Sequence, residues 1–310
     1  MRKGTTPRLL LIGSRGSRLA LAQTRLVAAQ IEAANPGLRT EIRVIKTQGD
    51  LVQDKPLQEF GTKGVFVQEI EQALLHGTID LAVHSLKDMP AEQPEDLTMA
   101  ITPRREDFRD VIITFGGIAG QSPAEMPAGS VVATGSLRRI CQLQRLNPGL
   151  KTEPIRGNVE TRLRKAEERG WQGVVLAAAG LNRLGMGDLI SRQGLLLEPE
   201  QMLPAPAQGI LGLETRAGDA RTLELLQPLH HEPSHRQAQA ERAFLRCIEG
   251  GCHAPMGAFC RLLGDDFEIE GFFQTEKQFY RQKLRGQKGQ EAACGQRLAE
   301  MIKEMIAHEC

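Results

Sequence analysis

The sequence predicts an α/β protein with largely parallel sheets, followed by a small α+β portion of different character. Through residues 8–214, short apolar runs alternate with stretches of helical period, the strand–helix–strand rhythm that builds parallel sheets. After residues 228–233 the order changes to helix, three strands and a closing helix. Size agrees: 310 residues, 41% hydrophobic and 25% charged, suit two or three globular domains of roughly 100–200 residues each.

The elements follow in order. Residues 8–12 form a strand, and 17–34 a long helix closed by Asn35-Pro36-Gly37, which cannot continue it. Residues 40–47 are a strand, 66–76 a helix ended by Gly77, and 79–83 a strand. Pro103 and the charges at 102–107 break the pattern and mark a boundary. Beyond it come strand 110–115, a Gly/Pro-rich loop over 116–129, strand 131–134, helix 137–146 closed by Asn147-Pro148-Gly149, strand 151–155, helix 159–169 and strand 173–178. The loop Leu203-Pro204-Ala205-Pro206-Ala207-Gln208-Gly209 leads into strand 210–214. Helices 221–230 and 235–248, strands 257–263, 267–273 and 278–284, and helix 290–307 complete the chain. The expected division is therefore 1–104 completed by 205–227, then 105–204, then 228–310.

Charge and composition exclude some partners. With 39 Lys+Arg against 38 Asp+Glu the net charge is +1, so no overall basic excess marks a nucleic-acid binder. Aromatics are 4% of residues, too few for a base-stacking platform. No apolar run approaches the ~18 residues of a membrane span. The basic start is followed by only four apolar residues, far short of a signal-peptide core. The expectation is a cytoplasmic protein with neither membrane nor nucleic-acid partner. Six cysteines, at 141, 247, 252, 260, 294 and 310, contain no Cys-x-x-Cys pair and are expected to be free thiols. Cys247, Cys252, His253 and Cys260 match no familiar zinc spacing, so no metal is expected.

Chemistry concentrates where strands end. In open α/β sheets ligands sit beyond the carboxyl ends of strands, against helix N-termini. This chain places Ser14-Arg15-Gly16-Ser17, His84-Ser85-Leu86-Lys87-Asp88, Thr134-Gly135-Ser136-Leu137-Arg138-Arg139, Arg156-Gly157-Asn158 and Ala179-Gly180-Leu181-Asn182-Arg183 there. Residues 131–170 hold nine Lys/Arg against four Glu, a local excess of five in a chain of net +1. Arg145, Arg164, Lys165 and Arg169, with Glu neighbours on their helices, are read as solvated surface. Arg138, Arg139, Arg156 and Arg162, beside Gly/Ser/Asn turns, are read as forks for carboxylate or phosphate. Asp88 has two open readings: a cap before Met89-Pro90, or an ionised carboxylate in a cationic cleft that exchanges a proton with bound nitrogen. Two glycines before Cys252 and a proline three residues after it suggest an exposed, shaped loop whose thiol is a nucleophile or an attachment point.

Taken in order, these motifs resemble the porphobilinogen deaminase (hydroxymethylbilane synthase) family over essentially the whole chain. The resemblance is carried by Ser14-Arg15-x-Ser17, Gly61-Thr62-Lys63-Gly64-Val65-Phe66, Val83-His84-Ser85-Leu86-Lys87-Asp88, Gly135-Ser136-Leu137-Arg138-Arg139, Arg156-Gly157-Asn158-Val159-x-Thr161-Arg162, Leu203-Pro204-x-x-x-Gln208-Gly209 and Glu249-Gly250-Gly251-Cys252. It implies two periplasmic-binding-protein-like domains, crossed twice by the chain, and a small α+β C-terminal domain carrying the cysteine loop. It implies a monomer in which a dipyrromethane cofactor is attached covalently at Cys252. On that primer four porphobilinogen molecules are joined head to tail with loss of ammonia, and hydrolysis releases hydroxymethylbilane.

By resemblance Asp88 is the catalytic carboxylate. Arg15, Ser17, Lys87, Ser136, Arg138, Arg139, Arg156, Arg162, Arg183 and Gln208 are cofactor-binding, with Arg15, Arg156, Arg162 and Arg183 also meeting substrate. Lys63 and Phe66 lie in a mobile segment over the cleft. Gln48, Gly135, Arg18 and His253 depart from residues common in the family, namely Arg, Ser, Pro and Gln. Two other classes fit less of the pattern: a non-catalytic polyanion-binding or sensor protein on the same scaffold, and a transferase in which Cys252 itself turns over.

Overall fold

The structure, a computed structural model, describes residues 8–47, 67–116, 122–248 and 254–308. Lys63, Phe66, Gln48, Cys252, His253 and Cys310 lie outside the described residues. The chain divides into two compact units, Met1–Arg104 with Leu211–His235, and Arg105–Ile210 with Arg236–Cys310.

In the first unit β1 (Arg8–Ser14), α1 (Arg18–Ala34), β2 (Leu38–Val44), α2 (Gln68–Leu75), β3 (Leu81–Ser85) and β4 (Leu97–Ile101) precede the excursion into the other unit. The first sheet is completed on return by β10 (Leu211–Arg216), giving the order β2-β1-β3-β10-β4. β1 runs parallel to β2 and β3, while β10 is antiparallel to β3 and β4. Val27, Ala28 and Ile31 form the apolar stripe of α1 and cover Leu10, Ile12, Leu81, Val83, Leu211 and Leu213. Ile70 and Leu74 of α2 pack with Ile79, Ala82 and Leu97. Both faces of the central strands are thus buried, which is why they read as continuous apolar runs.

In the second unit β5 (Asp110–Thr114), β6 (Val131–Ala133), α3 (Leu137–Leu146), β7 (Lys151–Glu153), α4 (Val159–Glu168), β8 (Gly173–Ala177), α5 (Ala178–Arg183), α6 (Gly187–Gln193) and β9 (Gly194–Leu197) build a sheet of order β7-β6-β8-β5-β9. β6 is parallel to β7 and β8, and β5 is antiparallel to β8 and β9. The two sheets share one topology, and in each the antiparallel strand between two others is the one entered after a crossing.

In the C-terminal stretch α8 (Glu232–Ile248) leads to the antiparallel sheet β11 (Met256–Leu263), β12 (Asp266–Gln274), β13 (Phe279–Gln287), and α9 (Glu291–His308) packs on β12 and β13. The sequence pattern separates this stretch from residues 105–204. In the structure Cys141 and Leu203 join Phe259 and Phe272 in one buried cluster, with Phe108 and Phe279 against it.

Four elements escape the sequence pattern: β4, β9, α5 and α6. Gly180 and Asn182 give residues 178–183 the look of a turn, but burial of Ala178, Ala179 and Leu181 draws them into a helix.

A polar core organises the second unit. Asp110, fully buried at the start of β5, accepts from Arg138 Nη1 at 2.6 Å and from Arg139 Nη2 at 2.7 Å. Gln208 Nε2 adds a bond to the same carboxylate at 3.1 Å. Arg138 Nη1 also donates to the Leu203 carbonyl, and Arg139 Nη1 to that of Val175. The loop carrying Gln208 is clamped in turn. Arg105 Nε donates to the Gln208 carbonyl, and Arg105 forms a bidentate pair with buried Glu241 of α8 at 2.7 and 3.1 Å. Glu241 also accepts from the Ala207 and Cys260 amides. Ala207 is the non-glycine residue at positive φ among those described (61°). Gly209 sits at φ 89°, where a Cβ would lie 2.5 Å from the Glu106 carbonyl, so only glycine fits.

Replacing Asp110 by Ala leaves two guanidinium groups buried beside no carboxylate. The loss of unfolding free energy is expected at about 3–5 kcal/mol, to be read from chemical denaturation of parent and variant.

Candidate active site

In the first unit β1 and β3 are parallel neighbours, so the turns after them lie side by side at one end of the sheet. After β1 come half-buried Arg15 and Ser17, whose hydroxyl caps α1 by accepting from the Ala20 amide at 3.2 Å. After β3 the chain makes a single 3₁₀ turn, Leu86–Asp88. Leu86 is buried and anchors the turn, Lys87 is half-buried, and Asp88 is exposed. Gln23 of α1 reaches across to the Ser85 hydroxyl at 2.9 Å, fixing the end of β3 against the helix. Arg15, Ser17, Lys87 and Asp88 are thereby gathered at one sheet end.

The second unit repeats this on β6, β7 and β8. Ser136 is the N-cap of α3 and makes no side-chain capping bond. Arg156 is exposed on the turn after β7. Asn158 caps α4 by accepting from the Thr161 amide at 2.8 Å, and Arg162 Nε donates to the Gly157 carbonyl at 2.7 Å. Arg183, at the end of α5, donates from Nη2 to the Gly209 carbonyl at 2.6 Å. Its Nε is buried and has no hydrogen-bond partner among the described residues. Burial pushes the Arg183 pKa down to about 10, against the opposing pull of Glu106. The group still carries its charge at neutral pH, poorly compensated within the chain.

Arg138 and Arg139 lie in the interior of the second unit. The sequence pattern presents them as open forks like Arg156. In the structure they are 5% and 7% exposed and are engaged with Asp110. From α3, Arg138 and Gln142 both donate to the Leu203 carbonyl at the start of the 203–210 loop, while Leu137 is exposed. Gln208 is likewise wholly buried, on Asp110 and the Phe108 carbonyl. Asp110, Arg105 and Glu241 had not been singled out. The available signal was an Asp opening an otherwise apolar strand, Asp110-Val111-Ile112-Ile113-Thr114.

Cys141 and Cys260 are buried free thiols. Burial raises both, Cys141 to about 11, which keeps them as inert thiols at neutral pH. No helix among the described residues is long and apolar enough to cross a membrane.

Known proteins are similar to this chain over most of its length. Residues 10–224 match the family model described as "Porphobilinogen deaminase, dipyromethane cofactor binding domain". Residues 235–304 match "Porphobilinogen deaminase, C-terminal domain". The porphobilinogen deaminase of Roseiflexus castenholzii is 45% identical over 294 residues, covering 94% of this chain and 95% of its own. That of Lachnospira eligens is 52% identical over 253 residues, covering 80% and 83%. Among solved structures, an ancestral cationic amino acid solute binding protein is 12% identical and covers 71% of this chain and 87% of its own, at a TM-score of 0.43. With one family model spanning more than half of its length and relatives of this identity over nearly all of it, the chain belongs to the porphobilinogen deaminase family.

Proposed function

We propose that the protein is a transferase that joins four porphobilinogen molecules head to tail, with loss of ammonia, on a dipyrromethane attached covalently at Cys252, and then releases hydroxymethylbilane by hydrolysis. The observation that supports this is made in each unit by itself: exposed Asp88 shares a sheet end with Arg15 and Lys87 in the first, and in the second Arg183, past the end of β8, has a buried Nε with no hydrogen-bond partner among the described residues. An orphaned, desolvated guanidinium nitrogen suits a ligand bearing acetate and propionate groups. When bound, the dipyrromethane supplies the two-ring primer from which the product chain is extended.

The chain's own residues do the rest. Arg15, Ser17 and Lys87 in the first unit, and Ser136, Arg156, Arg162 and Arg183 in the second, receive carboxylates of primer and substrate. Arg138 and Arg139, set by Asp110 and Gln208, back this set from the interior and fix the first turn of α3. Asp88 accepts a hydrogen bond from the departing amine and offsets the positive charge that builds on the pyrrole ring as ammonia leaves. The protein works as a cytoplasmic monomer whose partner is porphobilinogen, with no nucleic acid or membrane involved.

Three outcomes are expected. Intact-mass spectrometry of the purified protein should exceed the sequence mass of 34.1 kDa by two linked pyrrole units. Cys252→Ser should abolish that increment, and an unmodified mass after incubation of the parent with porphobilinogen would contradict the proposal. Asp88→Asn should fold normally and lose turnover on the order of 10²-fold or more, measured as hydroxymethylbilane formation. Arg156→Leu should stall extension, seen by mass spectrometry as altered accumulation of partly extended enzyme.

A further inference from the structure

The face of the first sheet beneath α2 holds a polar cluster with no role in the account above. Across β10 and β3, Gly212 pairs with His84 and Glu214 with Ala82, which sets His84 and Glu214 diagonally on one face. Their side chains are 5% and 0% exposed, and His84 Nε2 lies 3.1 Å from Glu214 Oε2. The two side chains share one hydrogen bond, its direction set by the His84 tautomer. The other oxygen, Oε1, accepts from Gln93 Nε2 at 3.2 Å.

His84 stands two residues before the Leu86–Asp88 turn, and Gln93 five residues after it. One buried carboxylate on β10 therefore grips the chain on both flanks of the turn that carries Lys87 and Asp88. Gly212 brings β10 against the turn itself: a Cβ there would meet Met99 Sδ at 2.7 Å and Leu86 Cδ1 at 3.2 Å. Half-buried Glu71 of α2 also senses the cluster. Burial and the Glu214 charge raise its pKa, and His84 lowers it.

We propose that Glu214 is a positioning residue for the reaction, stapling His84 and Gln93 so that the Asp88 carboxylate is held at a fixed place relative to the reacting amine. The inference rests on the assignment of Asp88 as the catalytic carboxylate. A carboxylate can accept two bonds on separate oxygens, whereas an amide has a single acceptor oxygen. Because an amide could also donate to the other His84 tautomer, Glu214→Leu, which offers neither acceptor nor donor, is the substitution that releases both flanks. Misplacing a proton-transfer group reduces turnover more than substrate binding.

The test uses full-length enzyme, with cofactor loading verified by intact mass. Gln93→Met keeps side-chain length without a donor, and Gln93→Lys restores one. Gln93→Met is expected to lower kcat by about 10-fold with KM within about 2-fold, with an unchanged Tm, while Gln93→Lys returns kcat to within about 2-fold of the parent. Glu214→Leu, which removes both acceptor oxygens, should lower kcat at least as much, and Gln93→Met added to it should cost nothing further, because the bond from Gln93 is already gone. Equal kcat for the parent and Gln93→Met, equal loss in the Met and Lys variants, a change confined to KM, or additive losses would each overturn the proposal. If Glu214→Leu does not fold, the two Gln93 variants decide alone. An active Asp88→Asn would instead remove the assignment of Asp88 itself; a dead Asp88→Asn beside a fully active Gln93→Met removes only the staple.

Discussion

Two guanidinium groups buried beside one carboxylate are tolerable only if their donors find acceptors, and much of the second unit is arranged to meet that condition. Asp110 enters at the start of a fully buried strand, Arg138 and Arg139 come from the helix after β6, and Gln208 comes from the returning loop. Remaining guanidinium donors take the carbonyls of Leu203 and Val175. Breaking a buried pair by removing one partner costs far more than the pair contributes, so these elements are coupled through their charges as well as through packing. The Arg105–Glu241 pair extends the coupling to α8, and the C-terminal strands share a buried cluster with Cys141 of α3 and Leu203.

Much of this was legible in the residues, for a physical reason. Period-two and period-3.6 patterns report which face of an element is dry, and the strand–helix alternation of residues 8–85 and 131–177 appears in the structure at nearly the expected boundaries. The polar turns at strand ends were equally visible, because Gly, Ser and Asn after a buried strand have few other uses. What was not legible depends on contacts distant in sequence. Arg138 and Arg156 look alike beside their turns, yet one is buried on a carboxylate 28 positions away and the other is exposed. Glu214 reads as an ordinary strand-end charge until β10 is seen to pair with β3. Local pattern gives the frame, and partner choice across the frame comes only with the topology.

Both units use the same means to present polar groups on apolar scaffolds. A central parallel strand flanked by two others aligns three carboxyl ends, and buried anchors set the turns: Leu86 under the Asp88 turn, and Ala178, Ala179 and Leu181 under Arg183. The polar side chains at the strand ends sit on short, tethered turns rather than long loops, which leaves their backbone little conformational entropy to lose.

The sheet orders also dictate when each unit can be finished. In the second sheet all five strands lie between residues 110 and 197, so a nascent chain has every pairing partner in hand once that stretch has emerged. The first sheet has no such autonomy. β10 belongs between β3 and β4, and until residue 211 and its successors are synthesised those two strands have no neighbour on the sides that β10 will fill. The N-terminal part of the chain must therefore wait, with open strand edges, while the stretch behind it assembles, and this interval is when the newborn polypeptide is most exposed to mispairing and to capture by chaperones.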